Sequence, residues 1–280
     1  MRDPHPRWPN AHEGGTAVDR IPAFSAVDSQ ELRMRSVLAL LVALAPGSLR
    51  RHLGRWLLGW DVHPTAHIGR SLILARKVTL GPRASIGSFN MIRGLAELRM
   101  DVGASIATRN WIACPPGAAA LFTHFPNRHP ALIMGKWSMI TVNHEIDCSD
   151  RVELADQARI AGFGTQILTH SLDLVRDRWS VAPVHLGEQA AVMSGCILQN
   201  GTSVPRRGIV SAGSVVNTRL SAEQTFYRGN PAKAVRPLPD TLRYWYRSLE
   251  DDSSEGVEIP SRQQVRAAED EAVKELESER

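Results

Sequence analysis

The chain is short of several things, and each shortage excludes a class. Aromatic residues make up 6% of its 280 positions. They show no interleaving with basic residues of the kind that stacks on bases, so no nucleic-acid partner is expected. Cysteine occurs three times, at Cys114, Cys148 and Cys196. So small and odd a set gives no disulfide framework and points to a reducing compartment, here the cytoplasm. The apolar run Val37–Ala45 falls well short of the ~20 residues of a spanning helix. Charge of one sign is in little excess: the formal net charge is +4, which suits an anionic ligand without requiring a polyanion.

Met34-Arg35-Ser36 before the apolar run and Ala43-Leu44-Ala45 at its end imitate a secretory signal. That reading requires a downstream start and an n-region with one arginine, so a helical cap over 30–61 is expected instead. It comprises a helix over 31–45, a break at Pro46-Gly47, and a short basic amphipathic helix over 49–60 containing Arg50, Arg51, Arg55, Trp56 and Trp60. Weak membrane-surface contact through 49–60 is the minority expectation for this segment. Residues 1–29 are polar and Pro-rich and read as a disordered arm. Residues 237–280 read as a C-terminal helix over 238–249 followed by a charged tail, with a further helix over 261–277.

What the sequence has is a repeat. Six residues separate Val62, Ile68, Leu74, Leu80, Ile86, Ile92 and Leu98, and again Leu186, Val192, Leu198, Val204, Val210 and Val216. With branched aliphatics at roughly a quarter of positions, the first run has a chance of about one in ten thousand. A period of six fits neither an amphipathic helix nor one long strand. It suits short strands joined by tight turns, three to a triangular coil, stacked about 4.8 Å apart. The fifth position of each late hexad is small (Ala190, Cys196, Thr202, Gly208, Ser214), as a coil corner demands, and glycine often follows the inward aliphatic. A mainly β fold results: a parallel β-helix over 62–236 with short helices at both ends. Two stretches break the step, near 114–134 and 171–183, and read as loop excursions. Between them the coils are expected to resume at Val142, Cys148, Leu154, Ile160 and Gln166.

The words Thr169-His170-Ser171-Leu172-Asp173, Val210-Ser211-Ala212-Gly213-Ser214-Val215-Val216 and Gly229-Asn230-Pro231-Ala232-Lys233 carry a resemblance. The chain resembles the left-handed β-helix, hexapeptide-repeat acyltransferases, in particular their sugar O-acetyltransferase branch. The resemblance implies the left hand, acetyl-CoA as co-substrate, no metal, and a homotrimer with active sites between subunits acting on a small-molecule or glycan acceptor. It matches His170 to the family's catalytic histidine. Asn143, His144 and Asp173 are matched to acceptor binding. Ser194, Gly195, Ala212, Gly213, Asn217, Thr218, Lys233 and Arg236 are matched to the CoA groove. Ala191, Asn200-Gly201 and Pro205 depart from the family's usual Trp, Pro-Gly and Gly.

The chemistry agrees with that assignment. Acyl transfer to a hydroxyl needs a base for the hydroxyl proton, a donor for the developing oxyanion, and a groove to align the acyl carrier. Histidine suits the base because its ordinary pKa lies near neutrality, and His170 stands where a coil gives way to an excursion. Two other readings compete: a zinc lyase of the γ-carbonic-anhydrase type using His124 and His129, and a β-helix scaffold without activity.

Overall fold

The computed structural model describes residues 29–246. The arm up to residue 28 and the tail beyond 246, including the helix expected over 261–277, lie outside the described residues. Two compact units divide at Arg236.

The first unit is a three-faced parallel β-helix, the architecture that the repeat predicts and the resemblance gives a left hand. On the first face Val62, Leu80, Met100, Met134, Leu154, Leu186 and Val204 stack in register. On the second face the column is Ile68, Ile86, Ile106, Ile140, Ile160, Val192, Val210 and Tyr227. On the third it is Ile73, Ile92, Ile112, Ile146, Ile167, Leu198 and Val216. All of these side chains are buried, each contributing roughly 1.5–3 kcal/mol over exposure.

The structure corrects the register in places. The inward residues are Ile73, Ile140 and Ile167, while Leu74 is half-buried and Val142 and Gln166 face outward. The first run stops at Leu98, and the register slips there for a simple reason. Several first-face strands, such as Lys77–Leu80 and Glu97–Met100, are long enough to send two residues inward, i and i+2. Leu98 therefore stacks on Val78, and Met100 carries the hexad step onward to Ile106 and Ile112. The first excursion is also shorter than expected, because Ala131–Met134 is a first-face strand paired with Glu97–Met100.

Glycine after the inward aliphatic answers to space rather than to an unusual dihedral. A Cβ on Gly87 would sit 2.1 Å from the Ala107 carbonyl oxygen of the next coil.

Helix α1 (Ser29–Leu44) and helix α2 (Gly47–Leu58) form the N-terminal cap, with Pro46 as the α2 N-cap and Gly59 in the left-handed region as its C-cap. Ala39 and Val42 of α1 and Leu58 of α2 join the core of the coils. Inside the first excursion lies the one-turn α3 (Ala118–Leu121). The second excursion is an antiparallel hairpin, His170–Asp173 with Arg178–Val181. In the second unit, the helix expected over 238–249 is replaced, as far as residue 246, by a 3-10 turn at Arg243–Tyr246. Pro239 supplies no N–H, and its carbonyl accepts the Trp245 indole N–H at 3.1 Å.

Candidate active site

The two excursions meet at His170. The third-face strand Glu145–Asp147 ends at Asp147, and one coil later His170 opens the hairpin at the same edge of the face. Its Nδ1 lies 2.7 Å from Asp147 Oδ2 and 3.0 Å from Ser149 Oγ. Asp147 is held in turn. Its Oδ1 accepts the backbone N–H and hydroxyl of Ser149 at 2.9 and 2.7 Å. Its Oδ2 accepts the backbone N–H of Thr169 at 2.8 Å, and the Thr169 hydroxyl lies at the same distance. Burial pushes the Asp147 carboxyl up, but His170, Ser149 and Thr169 together outweigh it and hold it below its usual value.

A carboxylate only accepts, so Nδ1 carries the proton toward Asp147 and the neutral ring is left with its lone pair on Nε2. No hydrogen bond occupies Nε2 among the described residues, and the side chain is 28% exposed. Phe122, just after α3, and Trp179, from the hairpin, stand 5.3 and 5.8 Å from the His170 ring and 5.9 Å from each other, centroid to centroid. Arg128 fixes the first excursion by donating to the Ser149 carbonyl at 3.0 Å while lying over Phe122. Burial pushes the nearby Cys114 thiol up to about 11, so it stays protonated. One ring nitrogen is fixed by a carboxylate and the other is turned to a partly open, aromatic-walled space, an arrangement that can accept a proton at Nε2.

The remaining candidates are dispersed. His144, expected near the acceptor, is 2% exposed. Thr165 N–H donates to its Nδ1 at 3.1 Å, and its Nε2 is paired with the Thr141 hydroxyl at 2.9 Å. Burial pushes its pKa down to about 4. With both nitrogens engaged it is a rung of a buried polar ladder, Ser71, Asn90, Asn110, His144 and Thr165, in which each side chain accepts the next residue's backbone N–H. That placement corrects the acceptor reading. Asn143 is exposed on the neighbouring turn at φ 57. Asp173 caps the hairpin turn: it accepts from Val175 and Arg176 N–H and pairs with the Arg176 guanidinium at 2.8 Å, which lowers its pKa. Its chemistry is that of an Asx turn, on the hairpin pair farthest from His170.

The CoA-groove candidates divide between two edges of the third face. Ser194, Gly195, Ala212 and Gly213 form the edge shared with the second face, where the backbone at Gly195 and Gly213 is open to a ligand. Asn217 and Thr218 come after the strand Val215–Val216, at the edge that carries His170. Lys233 and Arg236 are exposed on Ala232–Pro237, the last strand of the second face, and neither has an ion pair among the described residues. Open backbone and unpaired cations fit the pantetheine arm and phosphates of CoA.

Asp147, Ser149, Phe122 and Trp179 were not singled out from the sequence. Asp147 had one usable signal, its place at the end of a third-face hexad one coil before His170. Phe122 and Trp179 had none, since excursions carry no period. For the zinc reading, no group of three or more His, Cys, Asp or Glu side chains gathers to hold a metal among the described residues, and His129 pairs with Glu97 at 3.3 Å.

No protein-family model matches the chain, and no curated protein matches it. Similar solved structures include a hexapeptide-repeat-containing acetyltransferase from Vibrio cholerae, at 18% identity over 77% of this chain and 96% of that one, with a TM-score of 0.40. A maltose O-acetyltransferase from Clostridium difficile shares 13% identity over 76% and 90%, with a TM-score of 0.34. The N-acyltransferase AntD from Bacillus cereus, solved as a point mutant with dTDP and coenzyme A, shares 13% over 70% and 93%, at 0.40.

Proposed function

We propose that the protein is an acetyl-CoA-dependent O-acetyltransferase acting on a hydroxyl of a sugar or glycan precursor in the cytoplasm, with His170 as general base. The observation that carries this reading is the Asp147–His170 pair at 2.7 Å with Nε2 unbonded. A bound acetyl-CoA would supply the thioester carbonyl that the acceptor oxygen attacks. His170 Nε2 takes the acceptor hydroxyl proton as the acceptor oxygen bonds to that carbonyl carbon, and Asp147 holds the ring in the required tautomer and stabilises the imidazolium that results. The C–S bond then breaks, and the departing CoA sulfur takes the proton from the imidazolium, which restores the neutral base. Trp179 and Phe122 narrow the space around the base and limit water there.

The same reading includes a homotrimer. The groove candidates occupy two edges of one face, and a second copy set against this face brings one chain's small-residue edge beside another's His170 edge. The three cysteines, all buried and free, support the cytoplasmic assignment.

The test is release of free CoA thiol from acetyl-CoA with a panel of sugar and glycan acceptors, run beside light scattering for the mass. Acceptor-dependent release by the wild type, lost in H170A, and a trimeric mass are expected. Absence of transfer to every acceptor, together with no acetyl-CoA binding by either wild type or K233A, would favour a scaffold.

A further inference from the structure

The N-terminal cap leaves an apolar face uncovered. From Val37 to Leu44 helix α1 is apolar all round, a pattern proper to a helix covered on both sides. One side is covered: Ala39 and Val42 are buried against the coils. The other is not: Met34, Val37, Leu40, Leu41 and Leu44 succeed one another at helical spacing and are each 50–69% exposed. On α2, Trp56 is 82% exposed, and Leu49 is half exposed.

The charge on the cap is mostly of one sign: Glu31 at the start of α1 is the one acidic residue of the two helices. From Leu32 to Trp60 the chain carries five arginines and no acidic residue. Arg35, Arg50 and Arg51 are tied to backbone carbonyls of the coils, whereas Arg33 and Arg55 are exposed. Arginine beside exposed Leu, Val, Met and Trp fits an interface with apolar acyl chains beneath and anionic headgroups around. A second copy of this cap would instead oppose arginine to arginine. No helix among the described residues is long and apolar enough to cross a membrane, so contact here means lying on the surface.

We propose that the α1–α2 cap docks the enzyme on an anionic membrane surface, with the Met34–Leu44 face inserted at the acyl boundary and Arg33 and Arg55 at the headgroups. The basic helix anticipated at 49–60 then supplies charge and Trp56, and α1 supplies the inserted face.

Vesicle flotation of the full chain tests this independently of any transfer assay. The wild type is expected to float with phosphatidylcholine–phosphatidylglycerol vesicles and not with phosphatidylcholine alone, less so as salt rises. A V37S/L41S double variant changes only exposed positions. It should keep its circular dichroism and thermal midpoint yet bind at least about tenfold more weakly, having lost two inserted apolar side chains. R33S/R55S should lose most of the preference for anionic vesicles. The proposal is overturned if the wild type ignores both vesicle types or if V37S/L41S floats as well as the wild type. It is equally overturned if, without lipid, the double variant has a smaller mass than the wild type, since a second copy then covers this face.

Discussion

His144 and His170 stand at opposite edges of the third face, one coil apart, and both belong to polar clusters. At the His144 edge every hydrogen-bonding valence of the ring is spent. Thr141 and Thr165 take its two nitrogens, its backbone N–H goes to Asn110 Oδ1 at 2.9 Å, and the ring is kept neutral by burial. At the His170 edge the cluster is built as fully on one side of the ring, through Asp147, Ser149 and Thr169, and stops at Nε2. The difference arises from the path the chain takes beyond each histidine. After His144 the coil continues as Glu145–Asp147 and the next coil covers the ring. After His170 the chain leaves the coil as a hairpin, so one nitrogen stays uncovered. A closed cluster stabilises a corner, and a cluster with one open valence can move a proton.

The sharpest break of that comparison is H170A. It should lower turnover by about 10²–10⁴-fold with little change in thermal midpoint, because the ring is partly exposed and its loss opens no core cavity. Equal losses of activity and stability would put His170 in the same structural class as His144. D147N comes next. An amide in place of the carboxylate no longer requires the proton on Nδ1, and kcat should fall by about 10²-fold or more. KM for acetyl-CoA should stay near the wild-type value. A fall in stability with kcat unchanged would make Asp147 merely a fastener of the corner.

How much of this was legible beforehand depends on where the period holds. Ile86, Ile92, Val192 and Val210 had to point inward because short strands at a step of six allow nothing else, so the faces and the core were readable. Ile73 and Ile140 were missed by one or two places because turn lengths vary from coil to coil, which spacing alone does not register. His170 was readable from its word and its place at a break. Its partner Asp147 was not, because contact across one coil depends on a coil length that the second excursion obscures. His144 misled for the complementary reason: a histidine beside a turn looks the same in sequence whether the next coil covers it or not.

Replacing His144 should act on stability alone. H144A leaves Thr165 N–H without its acceptor in a buried corner, at a cost of about 1–3 kcal/mol, while turnover per folded molecule is unchanged. The ring also predicts a pH dependence. In the unfolded chain it binds a proton near pH 6.5, and in the folded protein only near 4. The stability of the fold is therefore unaffected by this ring above 6.5 and declines as the pH falls toward 4, by at most on the order of 3 kcal/mol. Urea midpoints measured across that window should slope for the wild type and flatten for H144N. A slope that survives in H144N would mean that other groups control acid sensitivity there.

The smallest effect separates a second limb. The His129 hydrogen bond pushes the Glu97 carboxyl down to about 2, with burial opposing it and Lys77 and Arg99 assisting. A lowered carboxylate stabilises the fold above its unfolded value of 4.5 and loses that contribution as pH falls toward 2. Because His129 and Lys77 are themselves well exposed, solvent screens the pair, and E97Q should cost below ~1 kcal/mol at neutral pH. The His144 window closes near pH 4, about where the Glu97 window opens. H144N should therefore straighten the upper part of the acid-unfolding curve and E97Q the lower part, each leaving the other in place. Loss of both limbs in either variant would show that the two neighbouring coils carrying Glu97 and His144 unfold as one coupled acid-sensitive unit, and the contrast between closed and open corners would then not extend to stability.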